Sequence, residues 1–158
     1  MSNYNLITTL DKLSKNAIFR ISLSSKELFH SNFWAWLIEK YPYKFTSVFY
    51  SKYDGHTKPD ILREKYNFDL LLKIKNKSII IENKFKALPD KKQLERYIEK
   101  AANIGNKELV LVSYIQPSFS WENYISYHDL YSNLSNIDLS DIENKDKAII
   151  ENYIECIG

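Results

Sequence analysis

The chain has 158 residues, of which 44% are hydrophobic and 27% charged, with a net charge of +2. This is the composition of an ordinary globular protein, long enough for one domain over residues 1–158 and too short for two. The single cysteine, Cys156, excludes an internal disulfide framework and a Cys-based zinc site, and the absence of a signal peptide or of a roughly 20-residue apolar run leads to an expected cytoplasmic location with no membrane partner.

Residues 5–20 read as a modestly amphipathic helix carrying Leu6, Leu10, Leu13 and Ala17. Ser24-Ser25 then offer N-caps, and Leu28, Phe29, Phe33, Trp36 and Leu37 recur at helical spacing, so a second helix is expected over 25–40, ended by Tyr41-Pro42. Residues 43–57 carry no clear period and are assigned to loop with a short strand. From residue 60 the pattern turns to strands, at 60–66, 68–75 and 78–85, with Asn76-Lys77 as a tight turn between the last two. Ile79-Ile80-Ile81 is β-branched throughout, which suits a strand buried on both faces. Ala87 to Asp90 breaks the sheet and caps a helix over about 90–104, closed by Gly105. A strand over 108–115, a loop over 116–123, a short helix over 128–135 and an amphipathic helix over 141–156 complete the chain. A hairpin followed by a helical crossover to another strand predicts an α/β fold with a mixed sheet of about four strands flanked by helices.

Successive strand residues alternate faces, so Glu82 and Lys84 share one face at the end of their strand. A hairpin closing at Asn76-Lys77 pairs Lys75 with Ser78 and sets Asp69 opposite Lys84. Two carboxylates and an ammonium then meet at one end of the hairpin. Carboxylates hold Mg²⁺ or Mn²⁺ through hard oxygen ligands, a metal activates water and neutralises phosphate charge, and a lysine steadies the water or the transition state. Two acids alone would read as a generic metal site; the lysine adds a hydrolytic character.

The string Ile79 to Phe85, IIIENKF, resembles the (D/E)XK half-motif of the PD-(D/E)XK nuclease superfamily, with Phe68-Asp69 in place of its "PD" half 13 residues before Glu82. A literal Pro59-Asp60 also stands upstream, but Asp69 is preferred because the hairpin carries it to the site. Gln93 and Tyr97, one helical turn apart, resemble the QxxxY motif of RecB-like branches, where the pair contacts DNA and supports the site. Glu27-Leu-Phe-His30-Ser31 resembles the opening helix of a bacterial subfamily with a Glu-Leu-x-His-Ser segment, and Trp121, Ile125-Ser-Tyr127 and Leu134 fit its later pattern. The resemblance covers roughly residues 25–135 and implies a restriction-endonuclease-like core. It further implies a Mg²⁺- or Mn²⁺-dependent deoxyribonuclease with Asp69 and Glu82 as metal ligands, Lys84 as the catalytic lysine and Glu27 as an auxiliary acid. Gln93, Tyr97, Arg63, His30 and Ser31 are the expected nucleic-acid-binding or supporting residues.

Plainer readings stand beside these. Asp69, Glu82 and Lys84 could form a cross-strand ion network worth about 0–1 kcal/mol on a solvated edge, although such an edge would not need Ile79-Ile80-Ile81 on both faces just before it. Glu27 could serve the helix dipole, His30 and Ser31 could be a satisfied half-buried pair, and Arg63 could bind phosphate or an acid. Lys73, Lys75, Lys77, Lys86, Lys91 and Lys92 form a basic run expected around the site, where each lysine that displaces a counterion raises phosphate affinity. The alternative function is a catalytically inactive nuclease-fold module that binds nucleic acid or a protein partner. A Tyr-rich interaction protein is a third reading. DNA against RNA, internal against terminal cleavage, and a homodimer against a partner protein all stay open at this point.

Overall fold

The three isoleucines of the apolar run are 0%, 1% and 0% exposed, and they form the middle of the central strand of a computed structural model of the chain. Burying each stabilises the fold by about 1.5–3 kcal/mol, which fixes this strand as the axis on which everything else is hung. The structure describes residues 17–63, 68–84, 90–121 and 123–158, with side chains from Leu28 onward. The expected helix over 5–20 therefore lies largely outside the described residues.

Helix α1 runs Ala17–Lys40 without a break at Ser24-Ser25, a correction to the expected start at 25. Serine caps a helix well but also sits inside one at a cost of only a few tenths of a kcal/mol. Helix α2, Pro42–Phe49, corrects the loop expected from 43. Tyr41-Pro42 does end α1, yet proline also occupies the first position of α2, where its missing N–H costs nothing. Phe45, Val48 and Phe49 then fall on one buried face.

Strands β1 (Asp60–Arg63), β2 (Leu70–Ile74) and β3 (Lys77–Lys84) pair antiparallel. Helix α3 (Lys91–Lys100) starts at Asp90, whose side chain accepts from the Lys92 N–H, and ends in a 3₁₀ turn at Ala101–Asn103. It crosses to β4 (Lys107–Ser113), parallel to β3. A fifth strand, β5 (Asn123–Ser126), continues the sheet parallel to β4, so the sheet has five strands in the order β1-β2-β3-β4-β5 instead of about four. A strand of four half-buried residues at a sheet edge offers no alternation to detect. Helix α4 (Tyr127–Ser135) follows at once through a capping box between Ser126 and Asp129, and α5 (Asn144–Ile157) closes the fold.

The hairpin turn is Lys75-Asn76, not Asn76-Lys77, with Lys75 in the left-handed region at φ 55° and Ile74 paired with Lys77. Leu70 pairs with Ile81, so one further step of the register sets Asp69 across from Glu82 and not Lys84. The sheet separates two cores. Ile79, Ile81, Leu70, Leu72, Val110 and Val112 pack with α1, α2, α4 and α5 on one side. Ile80, Leu71, Phe68 and Ala101 form a smaller core on the other, with Tyr97 of α3 against it. Glu82 and Lys84 follow Ile80 on that smaller face, as the alternation requires.

Candidate active site

Phe68 and Leu70 are buried at 1% and 0% exposure and hold the chain on either side of half-buried Asp69. The Asn83 N–H donates to Asp69 Oδ2 at 2.8 Å, across the point where the β2 and β3 ladder ends. The Asp69 carbonyl accepts from Arg63 of β1, whose guanidinium also donates to Asn32 Oδ1 of α1. Strands β1 and β3 thus converge on one aspartate, with α1 behind Arg63. Arg63 is here a clamp on the backbone of Asp69, tying the β1 edge to α1.

Glu82 is 7% exposed and Lys84 5%, and Lys84 Nζ lies 3.3 Å from Glu82 Oε1. Glu82 Oε2 is buried with no hydrogen-bond partner. Burial, and next the neighbouring Asp69 carboxylate, push the Glu82 carboxyl up to about 7, against the opposing pull of Lys84 and Tyr97. Burial also raises Asp69, against the Asn83 N–H, Lys84 and Arg63. Two carboxyls that resist ionising side by side, one with an orphaned buried oxygen, form a donor set that a divalent cation fits. The cation would neutralise the pair and occupy the free lone pairs. Among the described residues no group of three or more His, Cys, Asp or Glu gathers anywhere, so the described carboxylates at this spot are these two.

Helix α3 brings Tyr97 over the same spot. Its ring centroid is 5.7 Å from Lys84 Nζ and 5.9 Å from the Phe68 ring. Burial and then the Glu82 carboxylate push the Tyr97 hydroxyl well up, while Gln93 acts in the opposite sense. Gln93, Tyr97, Glu82, Lys84 and Asp69 are therefore one contiguous group. Asp60 pairs with Lys73 at the far end of β1, exposed, so the literal Pro-Asp is remote from it.

His30 and Ser31 are both 0% exposed, inside the larger core. His30 Nδ1 shares a hydrogen bond of 2.9 Å with the Tyr153 hydroxyl, which also accepts from Trp34 Nε1 at 2.8 Å. Ser31 Oγ donates to the Leu28 carbonyl. His30 thus joins α1 to α5, and both residues sit on the other side of the sheet from Glu82. Glu27 belongs to α1, and its side chain lies outside the described part. The basic run is divided: Lys75 pairs with Asp54 and Lys77 with Glu108 at the turn end of the hairpin. That end is roughly 23 Å along β3 from Lys84, at 3.3 Å per residue. The expectation that the run surrounds the site is corrected accordingly; Lys86 lies outside the described residues.

One contributor escaped the sequence reading. Asn83, between Glu82 and Lys84, faces the larger core at 0% exposure and accepts from the Tyr127 hydroxyl at 2.7 Å. Its backbone holds Asp69 while its side chain is held by the first residue of α4. The sole hint in the sequence is the placement of Asn between the two motif residues at the end of an apolar strand.

A family model described as the PD-(D/E)XK nuclease superfamily matches residues 16–155. No curated protein and no solved structure matches. The matched span exceeds the stretch that carries the motifs and takes in most of α5.

Proposed function

The chain belongs to the PD-(D/E)XK nuclease superfamily, and from its site we propose that it is a divalent-metal-dependent deoxyribonuclease. The observation that carries this reading is the buried Asp69–Glu82 pair with Lys84 Nζ 3.3 Å from Glu82. Asp69 and Glu82 would hold the cation, Mg²⁺ or Mn²⁺. When bound, it supplies charge neutralisation at the scissile phosphate and an acidified water.

The remaining work falls to the chain's own groups. Lys84, buried and held by Glu82, presents fixed positive charge where negative charge develops on the phosphate, and in a site of low dielectric that charge counts for more than in water. The Asn83 N–H orients Asp69, and Arg63 fixes the backbone behind it. Tyr97, with Gln93 beside it, keeps Lys84 and Glu82 from drifting and limits water at the site. This is the part that the RecB-like QxxxY pair would play. Glu27 is a further acid that the same reading assigns to the site. The substrate is inferred to be DNA, and the location the cytoplasm; among the described residues no helix is long and apolar enough to cross a membrane.

Digestion of linear duplex, circular duplex and single-stranded DNA, alongside RNA, with Mn²⁺ or with EDTA tests this. Cleavage of DNA in Mn²⁺ and none in EDTA is the expected result. Cleavage of RNA alone would overturn the substrate, and cleavage that persists in EDTA would overturn the metal dependence.

A further inference from the structure

Helix α3 has two working flanks. Gln93 and Tyr97 face the Asp69–Glu82–Lys84 group, and Leu94 is buried against the sheet. On the opposite flank Lys91, Glu95 and Ile98, spaced at four and three residues, wall a groove of about 560 Å³. Leu109 of β4, Asn123 of β5, Phe119 and Trp121 also line it. The Trp121 indole N–H donates to the Leu109 carbonyl at 3.3 Å, and the Phe119 and Trp121 rings meet edge to face at 6.4 Å. Both rings remain partly open to solvent. Four lysines line the groove, Lys52, Lys77, Lys91 and Lys107, against two glutamates; Lys77 and Glu108 pair at 3.2 Å, which leaves Lys52, Lys91 and Lys107 against Glu95.

We propose that this groove is a binding track for a single-stranded segment of nucleic acid, running along the far flank of α3 from the phosphodiesterase centre and reaching the hairpin-turn end of the sheet at Lys77 and Lys107. Two aromatic rings, Trp121 anchored through its indole N–H and Phe119 against its edge, along a cationic trough match what an unpaired strand needs, stacking for its bases and lysines for its phosphates. A duplex would not fit a groove of this volume lying between a helix and a sheet edge. The helix is about 10 Å across, so one strand passing over its N-terminal end, where Lys91 stands two residues from Gln93, joins the two places. The inference rests on the nuclease reading for its occupant but not for its location.

The test is fluorescence anisotropy of a labelled oligo-dT of about ten nucleotides, in EDTA so that binding is read without chemistry, together with tryptophan emission. The wild-type protein is expected to bind with quenched emission. Lys52→Gln/Lys91→Gln, both at exposed positions, is expected to weaken binding at least fivefold and to flatten the slope of log affinity against log salt by about 1.4. Trp121→Leu is expected to lose the quenching. Lys145→Gln/Lys147→Gln, with the same charge loss on α5, on the other face of the sheet, is expected to bind as wild type. If the groove variants bind as wild type while wild type cleaves in Mn²⁺, the track is wrong and the nuclease reading stands. If wild type binds and is quenched but never cleaves, the track is supported and the nuclease reading falls. Equal weakening by both lysine pairs would reduce the effect to general charge and overturn the track.

Discussion

At Glu82, burial and the Asp69 carboxylate push the same way, so the metal-free protein carries a strained acid at neutral pH. The ordinary value is 4.5 and the folded value about 7; between these the folded chain keeps a proton that the unfolded chain has released. The stability this confers is complete below 4.5 and is lost as pH rises through 7. Glu82→Gln is therefore expected to stabilise the protein in EDTA at pH 8 by about 1–3 kcal/mol and to change little at pH 4, as read from urea midpoints. A Gln variant that is less stable at pH 8 would mean that the Lys84 ion pair outweighs burial. The same proton must leave when a cation binds, so Mn²⁺ affinity should rise with pH up to about 7 and release protons in calorimetry.

Asp69, Glu82 and Lys84 were legible as a group even though the hairpin register was not. Moving the turn from Asn76-Lys77 to Lys75-Asn76 changes the partner of Asp69 by two residues, from Lys84 to Glu82. A shift of two preserves the face of the sheet, whereas a shift of one would have thrown Asp69 to the other side. Asn83 was not legible because its role depends on a backbone N–H and on Tyr127, 44 residues away. Tyr127→Phe removes that contact and keeps the ring. It is expected to slow cleavage several-fold with near-normal substrate binding, measured as a fall in kcat at constant KM.

Among the elements, those with strong periods were readable and those set by tertiary contact were not. The triple isoleucine declared β3, and Asp90 declared the start of α3. Helix α2 was hidden because proline signals both an end and a beginning, and only the packing of Phe45 and Phe49 decides which. β5 was hidden because four edge residues carry no pattern, and its parallel pairing with β4 supplies the order. The α1–α5 contact yields a prediction at this scale. Tyr153→Phe keeps the ring but removes the acceptor for the buried Trp34 N–H and the partner of His30 Nδ1, and should cost about 1–3 kcal/mol in urea unfolding. Lys75→Gly should instead stabilise by up to about 1 kcal/mol, since glycine takes the left-handed turn without strain and the exposed pair with Asp54 contributes little.

At the scale of the whole molecule the sheet divides labour between its ends. The catalytic candidates gather where β3 finishes and β2 begins, beside the C-terminal end of β4, while the hairpin turn lies at the opposite end. A basic run that looks continuous along the sequence is split across both ends by the strands, which sequence proximity alone does not reveal. The central claim is that Asp69, Glu82 and Lys84 act together on a phosphodiester. Single-turnover cleavage of labelled DNA in Mn²⁺ by wild type, Asp69→Asn, Glu82→Gln and Lys84→Ala tests it most directly. The account predicts a loss of at least about 10²-fold for each variant, equivalent to about 2.7 kcal/mol or more. Cleavage by Lys84→Ala at the wild-type rate would contradict it, because no other lysine is placed against Glu82 among the described residues.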